Sequence, residues 1–531
     1  MERSTTVPRE FFDFNDISRE SDNVQFSGNS IIWNGPANTT IATVVPNTVY
    51  PPREDSYLLA TAISHRGDGG RKRFFEVGVG SGVVTAFASA HGWDVSGCDI
   101  NPLAVSCTRG LLRERGVVAS SIFEGGPGEE DNDEEVEGSN LAGNDWAGSG
   151  KYDVIAWNLP YLIPPESGEP HLGPFEEAGL VDFEDADSKL LDSLGRNPQL
   201  LNRGGTVLLL CSNYANGLTL RSRWMARGWA SRIIEQSKMD DGEILRVIEL
   251  WLPWQDSKAM LVDEIDSTNT HLLASSGRQG NRIRAQRQLS GRGQRERKWN
   301  SVDGDLTCSW LIHEGEIPTN GFELGMLQLE AALAVLDAIA ALSGQILPSG
   351  GLPAIENIAD LGFSVKWPND IWYKGGKLAG ILAESRSFQE SMRIVLGIGI
   401  NLVERNQVSN IITPLSTLTD YVLIPHSIVE IEAVLNAALS SIFERRERPR
   451  NDRDETLMFT DEGITNTGVG ELVFASVANH VGKYGNPTLN GDEITLQGIS
   501  PSGALDLVDQ NGIHHSIDDT SALIWHPSSE G

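Results

Sequence analysis

Two stretches of this sequence place reactive residue types close together. Lys366-Trp367-Pro368-Asn369-Asp370 is soon followed by Lys377-Leu378-Ala379-Gly380-Ile381-Leu382-Ala383-Glu384. Pro368 has no amide hydrogen and interrupts any ladder, while Asn369-Asp370 and Gly375-Gly376 supply turn chemistry, so a turn feeding a short strand pair is predicted there. Upstream, residues 291–299 read Gly-Arg-Gly-Gln-Arg-Glu-Arg-Lys-Trp, with Arg292, Arg295, Arg297 and Lys298 on a segment whose glycines let backbone amides approach a ligand. Cations gathered on a glycine loop suit an anion such as a nucleotide phosphate.

The first half of the chain carries a different constellation. Residues 73–82 (Arg-Phe-Phe-Glu-Val-Gly-Val-Gly-Ser-Gly) read as a buried strand ending in a glycine turn, with a helix behind it. Asp99 closes the next apolar strand, over 94–100, where a carboxylate can accept from two ribose hydroxyls. A dinucleotide fold would show similar features, although Gly78, Gly80 and Gly82 form Gly-x-Gly-x-Gly rather than Gly-x-Gly-x-x-Gly. Tyr152–Asn158 is a strand running into Asn158-Leu159-Pro160-Tyr161. In such a turn the Asn158 side-chain oxygen and the Leu159 carbonyl can both accept from one NH2 group, while Tyr161 stacks on its planar carrier.

These residues need elements to hold them, and 531 residues predict two or three domains, each with its own core. Residues 1–45 are polar, with short strands at 31–33 and 41–45. Pro51-Pro52 stops regular structure, and Glu54-Asp55 head a helical pattern, favourable to its dipole. The acidic, glycine-rich run over 124–150 reads as a disordered insertion before the fourth strand. Strands at 205–211 and 243–251 complete the alternation of a doubly wound sheet. A core helix over 321–342 and an amphipathic helix over 427–447 follow; from about 465 onward short alternating strands predict a small β barrel.

The balance of 73 acidic against 42 basic side chains, net −31, argues against nonspecific DNA binding or docking on anionic membranes. Cys98, Cys107, Cys211 and Cys308 are far apart, so reduced thiols are expected. With no signal-like start and no run of about 18 uncharged apolar residues, a soluble cytoplasmic protein is expected. The histidines, His514-His515 included, lack partners at metal spacing and read as exposed strand residues, so no protein-only metal cluster is expected.

Five motifs in one order resemble the biotin protein ligase family. They are Ser267-Thr268-Asn269, the loop from Gly291 to Trp299, Lys366 to Asp370, Lys377 to Leu382, and Gly397-Ile398-Gly399-Ile400-Asn401. The resemblance implies an α+β catalytic domain followed by a small SH3-like β domain. It also implies two steps: the biotin carboxylate attacks the α-phosphate of ATP, giving biotinyl-5′-AMP, and a lysine of a biotin carboxyl carrier domain of a carboxylase then attacks that anhydride. On that pattern Arg292 and Arg295 clamp phosphate, and Lys377 meets carboxylate and α-phosphate. Lys298, Trp299, Asn369 and Asn401 join the ATP site, with Mg2+ near Asp370 and Asn401, and Asn369 and Asp370 position metal or amine. Ser267, Thr268, Asn269, Gln288, Gly291, Arg292, Lys377 and Gly380 line the biotin site. Two positions depart from the family loop, Gln294 standing for an arginine and Glu296 for a glycine. Losing a cation and adding an acid predicts a working ligase whose activated intermediate escapes more readily.

The first half resembles class I S-adenosylmethionine-dependent methyltransferases acting on planar nitrogens, on the strength of Asn158-Leu159-Pro160-Tyr161. With Tyr50-Pro51-Pro52-Arg53-Glu54-Asp55-Ser56-Tyr57-Leu58-Leu59 it resembles the HemK-like branch, which methylates a glutamine side-chain amide of a peptide release factor, often with a small zinc-ribbon activator protein. That implies S-adenosylmethionine contacts from Glu76, Gly78, Gly80, Gly82, Asp99 and Asn158, and substrate-amide contacts from Asn158, Leu159, Pro160 and Tyr161. Adenine-N6 methyltransferases share the Asn-x-Pro-Tyr turn, so a nucleic-acid acceptor remains the alternative; a third reading makes one half a ligand-sensing module without turnover. The expected organisation is an extension over 1–45, an α/β methyltransferase domain with a doubly wound Rossmann-like sheet over 46–256, a ligase domain over 257–460 and the SH3-like domain over 461–531. No winged-helix DNA-binding head precedes the ligase half.

Overall fold

The computed structural model describes residues 28–118, 121–128, 145–148, 150–160, 186–213, 219–240, 242–294, 299, 301–316, 324–343, 362–403, 417, 426–444 and 469–525. They form two compact units. The first takes the described residues up to Leu220 together with Arg232–Trp251; the second takes Arg221–Ser231 and the described residues from Leu252 on, up to 444 and from 469.

The first unit opens with an antiparallel hairpin, β1 (Gly28–Asn34) and β2 (Thr40–Pro46), paired Trp33 to Ile41. Alternation along β2 turns Ile41, Thr43 and Val45 inward, and Trp33 meets Phe87 edge-on at 6.2 Å. The hairpin is therefore part of this unit's core, which corrects the expected boundary after residue 45. Helix α1 (Glu54–Ser64) follows, then β3 (Arg73–Val77), α2 (Val83–Ala90), β4 (Asp94–Asp99), α3 (Pro102–Glu114), β5 (Ile122–Glu124), β6 (Tyr152–Asn158), α4 (Ala186–Arg196) and β7 (Leu201–Ser212). Beyond α5 (Leu220–Ala226), which from Arg221 on belongs to the second unit, come β8 (Ala230–Lys238) and β9 (Ile244–Trp251).

Strand order is β5-β4-β3-β6-β7-β9-β8. From β5 to β7 all pairs are parallel, and β9 runs antiparallel to β7. Parallel strands covered on both faces carry unbroken apolar runs, as Val207 to Leu210 do, all buried. Progression along the sheet reverses between β3 and β6, which opens a crevice outside their carboxyl ends. The insertion expected to be disordered is partly ordered at its end: a short turn, Asp145–Ala147, seats Trp146 against Phe75 at 5.6 Å. Residues 129–144 lie outside the described residues.

The second unit is built on β10 (Ala259–Ile265), α6 (Thr268–Ala274), β11 (Arg282–Gln288), β12 (Leu306–Glu316), α7 (Leu324–Ser343), β13 (Phe363–Lys366), β14 (Asp370–Tyr373), β15 (Gly376–Phe388) and β16 (Ser391–Ile400). Its sheet order is β10-β11-β12-β16-β15-β14-β13, antiparallel except for the parallel pair β10 and β11. Helix α7 is the one described helix long and apolar enough to cross a membrane, yet 78% of that window is buried inside the protein, as suits a core helix. It packs on α8 (Ile428–Phe443), whose start is fixed by a reciprocal capping box between Ser427 and Glu430.

The stretch expected to be strands from about 465 instead begins with a helix, α9 (Val469–Tyr484). Val473, Val477 and His480 recur at steps of four and three, with Leu472 and Ser476 beside them four apart, and all are buried, a 3.6-residue period. Strands follow it: β17 (Thr488–Leu489), β18 (Asp492–Ile499), β19 (Leu505–Asp509), β20 (His514–Ile517) and β21 (Leu523–Ile524), in the order β20-β19-β18-β17-β21.

Candidate functional site

In the second unit the motif segments converge on a cavity of about 310 Å³. Its floor is a pair of neighbouring strands, β15 and β16, where Gly380 pairs with Gly399. The Trp299 indole lies on that floor: a Cβ at Gly399 would stand 2.3 Å from it, and one at Gly380 2.6 Å. Only glycine admits a ring so close to both strands.

Pro368 ends β13, and Asp370 opens β14 beyond the turn. Asn369 locks that turn to β15, its amide donating to the Ile381 carbonyl at 2.6 Å while Ile381 N donates to its own carbonyl. Lys377 on β15 then reaches Asp370 at 2.6 Å, with its ammonium 5.2 Å from the centre of the Trp299 ring. Among the described residues Arg292, Lys366 and Lys377 line the cavity against one carboxylate, Asp370, so this part of the lining is basic in an acidic chain. Arg292 is held by Glu384 at 3.0 Å and stays half-exposed.

The opposite wall is a chain of hydrogen bonds. Ser267 caps α6, its oxygen accepting from Thr270 N. The Thr268 amide and hydroxyl both donate to Gln288 Oε1, which leaves the Gln288 NH2 as the end turned away from Thr268. Ser309 lies within 2.7 Å of the Thr268 hydroxyl and 2.6 Å of Asn269 Oδ1, and Asn269 donates to the Leu382 carbonyl and to Glu384. Asn269 thus lines the cavity while spending both N–H groups on the protein, leaving mainly a lone pair of Oδ1 for a ligand.

Asn401 was expected at the triphosphate or its magnesium. It is not among the cavity-lining residues: it is buried, and its amide donates to the Lys377 carbonyl at 2.8 Å, so it sets the backbone from which Lys377 projects. Gly291 is likewise off the cavity, its carbonyl accepting from Trp299 N at 2.9 Å, which closes the base of the loop. Arg295, Glu296 and Lys298 lie outside the described residues. Gln294 lines the cavity and faces Gln328 Oε1 at 3.5 Å.

Several lining residues had no sequence signal. Leu523 and Trp525 enter from the C-terminal strands, and Gly503 accepts from the Trp367 indole at 2.8 Å, tying that sheet to the turn. Cys308 also lines the cavity, and burial pushes its thiol well up from the ordinary range. His480 corrects the expectation of exposed histidines. It sits buried on α9 against Trp372, Tyr484 and Trp525, and burial lowers its pKa to about 3, so it stays neutral. Among the described residues no group of three or more His, Cys, Asp or Glu could hold a metal ion.

In the first unit the predicted residues meet at the carboxyl ends of β3, β4 and β6. Gly78, Gly80 and Gly82 all take positive φ, at 68°, 49° and 77°. At Gly82 a side chain is doubly excluded, since its Cβ would also meet Thr108 Oγ1 at 2.7 Å. Gly80 N donates to Asp99 at 2.9 Å, and Asn101 N donates to the other oxygen at 2.8 Å, so the turn and the acid at the tip of β4 form one rigid piece. Burial raises Asp99 to about 6.

Glu76, buried on β3 and bonded by the Thr85 hydroxyl, is pushed by burial up to about 8. Leu159 is buried and Pro160 half-buried, while Tyr161 lies outside the described residues. The residue missed here is Asp55. Its oxygen accepts from Asn158 Nδ2 at 2.9 Å, although the sequence reading gave it only a role in the helix dipole.

Glu76 sets a pH dependence. An unfolded glutamate releases its proton near 4.5, whereas the folded one keeps it to about 8, so the native state binds more protons between those values. Stability is therefore fully present below the lower value and lost as pH rises toward the upper one. Calorimetric melting of the full chain should show one transition falling from pH 5 to 8; Glu76→Gln should make the fall shallower, with Asp99, raised to about 6, carrying the remainder, and an unchanged slope in that variant would refute the assignment.

Comparison with known proteins gives the following. The Biotin/lipoate A/B protein ligase family matches residues 261–401. The chain is 35% identical over 150 residues to a biotin–[acetyl-CoA-carboxylase] ligase of Mycobacterium tuberculosis, covering 27% of this chain and 49% of that protein. It is 33% identical over 144 residues to the bifunctional ligase/repressor BirA of Bacillus subtilis, covering 26% and 39%. The chain thus spans half or less of these relatives' length. A biotin protein ligase from Aquifex aeolicus, solved in complex with biotin and ATP, aligns with 51% of this chain and 99% of its own at 22% identity and a TM-score of 0.36. Residues 261–401 are thus similar to the Biotin/lipoate A/B protein ligase family.

Proposed function

We propose that the second unit joins biotin to a lysine of a carrier domain at the expense of ATP, and that the first transfers a methyl group from S-adenosylmethionine to a side-chain amide nitrogen. For the ligase, the supporting observation is the single cavity in which the Lys377–Asp370 pair, Arg292 and the glycine floor face the Thr268–Gln288 wall. The wall offers paired donors and acceptors to a planar ureido group. Across from it, Lys377 and Arg292 stand where a carboxylate and a phosphate would meet. As the carboxylate oxygen bonds to the α-phosphorus, pyrophosphate leaves and charge builds on the phosphoryl oxygens; fixed cations lower that barrier. A lysine amine then takes the acyl group and AMP departs. Asp370 keeps Lys377 aimed throughout.

Magnesium fits only as an ion shared with substrate. Among the described lining residues Asp370 is the one carboxylate and is already tied to Lys377, which does not make a protein cage, and magnesium commonly uses one or two carboxylates plus phosphates.

For the methyltransferase, the supporting observation is the placement of the Gly78 to Gly82 turn, Asp99 and Asn158 at the reversal point of a parallel sheet. These residues fit the donor: the glycine turn leaves Gly80 with open space where a Cβ would stand, and Asp99, fixed by Gly80 N and Asn101 N, would accept from the ribose hydroxyls. S-adenosylmethionine supplies an electrophilic methyl group, and the chain's task is alignment rather than acid or base catalysis. We assign the acceptor to a glutamine amide of a peptide release factor, with a zinc-ribbon protein as activator and both reactions in the cytoplasm. The net charge of −31 disfavours a nucleic acid.

Biotin-dependent exchange of pyrophosphate into ATP tests the ligase; its absence with purified full-length protein refutes it. Labelled S-adenosylmethionine offered with release factor, RNA and DNA, with and without activator, tests the other half: label on nucleic acid alone moves the acceptor to adenine. The loop departure gives a further expectation. Gln294 is neutral where a cation would hold phosphate, so Gln294→Arg should slow release of the activated biotinyl intermediate by about tenfold, the worth of one charged hydrogen bond. Release no slower than wild type, measured by rapid filtration, would sink that reading.

A further inference from the structure

We infer that Asp55 is a positioning residue for the first unit's site: it fixes the sense of the Asn158 amide, so that the carbonyl oxygen and not the NH2 group is presented for an acceptor. The inference rests on the methyl-transfer reading above and adds a selectivity device to it.

An asparagine amide has two ends of nearly equal shape, and a half-turn exchanges an acceptor for a donor. Something must choose between them. At Asn158 the choice falls to a carboxylate. Asp55 is 1% exposed, so its orientation is set by the protein. One oxygen accepts from the Ser56 amide and hydroxyl within α1; the other reaches Asn158 Nδ2 on β6 at 2.9 Å. The Asp55 oxygen acts as the acceptor in that bond, so it faces the NH2 end.

The consequence lies at the other end of the same group. Asn158 Oδ1 is buried from solvent and has no hydrogen-bond partner among the described residues. A desolvated acceptor without a donor is costly to keep, unless a ligand supplies the donor. It lies at the carboxyl end of β6, beside the glycine turn, where the sheet reverses. The matching acceptor chemistry is a planar nitrogen bearing N–H, a primary amide, while a carboxylate or an ester would set oxygen against oxygen. Helix capping alone does not explain Asp55, because the oxygen that serves the first turn is not the oxygen that binds Asn158.

The test uses the full chain with three variants: Asp55→Asn, Asn158→Asp, and both together, which restores an amide–carboxylate pair in reversed order. Readouts are methyl transfer to release factor, binding of S-adenosylhomocysteine, and hydrogen exchange of the Asn158 side-chain NH2, identified in asparagine-labelled protein by its loss in Asn158→Asp. Asp55→Asn should lower kcat by about a hundredfold, the effect of a misplaced group, with S-adenosylhomocysteine affinity within about threefold. NH2 exchange should quicken by at least about tenfold as the protecting bond is lost. The double variant, which again shows an oxygen to the acceptor, should regain a measurable part of kcat. Unchanged NH2 exchange in Asp55→Asn would overturn the positioning role, as would a fall in kcat matched by an equal loss of S-adenosylhomocysteine binding. If wild-type protein methylates no acceptor, the methyl-transfer reading fails, while the exchange measurement still decides whether Asp55 holds the Asn158 amide.

Discussion

Replacing Lys377 by methionine should reduce biotin-dependent pyrophosphate exchange by about 10²- to 10³-fold, the size seen when one preorganised stabiliser of transition-state charge is removed. Two effects act in the same direction. The ammonium that meets the forming phosphoryl charge is gone, and Asp370, which it neutralised at 2.6 Å, now presents an unpaired carboxylate to an anionic substrate. The second effect can be separated from the first. Adding Asp370→Asn to Lys377→Met should restore part of the ATP affinity and little of the rate. Folding should be spared, because both side chains are about one-fifth exposed and Asn401 holds the backbone beneath them. A loss below about tenfold, with an unchanged melting temperature, would remove Lys377 from the reaction.

The other large effect belongs to Asn158. Asn158→Ala should lower methyl transfer by about 10²-fold or more, as losing an orienting group does, while S-adenosylhomocysteine affinity stays within about threefold. The glycine turn and Asp99 are held by their own backbone bonds and do not lean on Asn158. A cost in stability accompanies it. Asp55 loses the hydrogen bond from Asn158 at one buried oxygen, worth about 1–3 kcal/mol, so the melting temperature should fall by a few degrees. Rate and cofactor binding falling together would mean that Asn158 only shapes the cofactor pocket. Acceptor methylation near the wild-type rate would refute its assigned role altogether.

Much of both sites was legible because turn chemistry leaves local marks. Pro368 and Asn369-Asp370 announced the turn that brings Asp370 to Lys377, while the close approach of Trp299 to Gly380 and Gly399 shows only in the fold. What a local pattern cannot say is which way a side chain faces once the chain is folded. Asn401 stands in the same motif as Gly399 yet turns inward to the Lys377 carbonyl. Asp55 looked like half of an acidic helix start, and only the fold brings it to a residue 103 positions later. Helix α9 was misjudged for another reason. Val473, Val477 and His480 stand at helical steps of four and three, whereas the turn-rich alternating strands begin only after Tyr484. Trp525 carries no motif, and its place at the cavity follows from how the C-terminal sheet docks through Gly503.

That docking has a thermodynamic consequence. A single ligand filling the cavity would touch the Thr268 wall on one side and Leu523 and Trp525 on the other, so its binding energy is shared between the seven-stranded sheet and the five-stranded one. Whatever binds the joined arrangement and not the parted one shifts the balance toward joining, by an amount set by its concentration relative to Kd. The two sheets then cease to be independent in their breathing motions. Substrate acts as a clamp between them, and protection of the C-terminal strands against hydrogen exchange becomes a measure of how full the ligase site is.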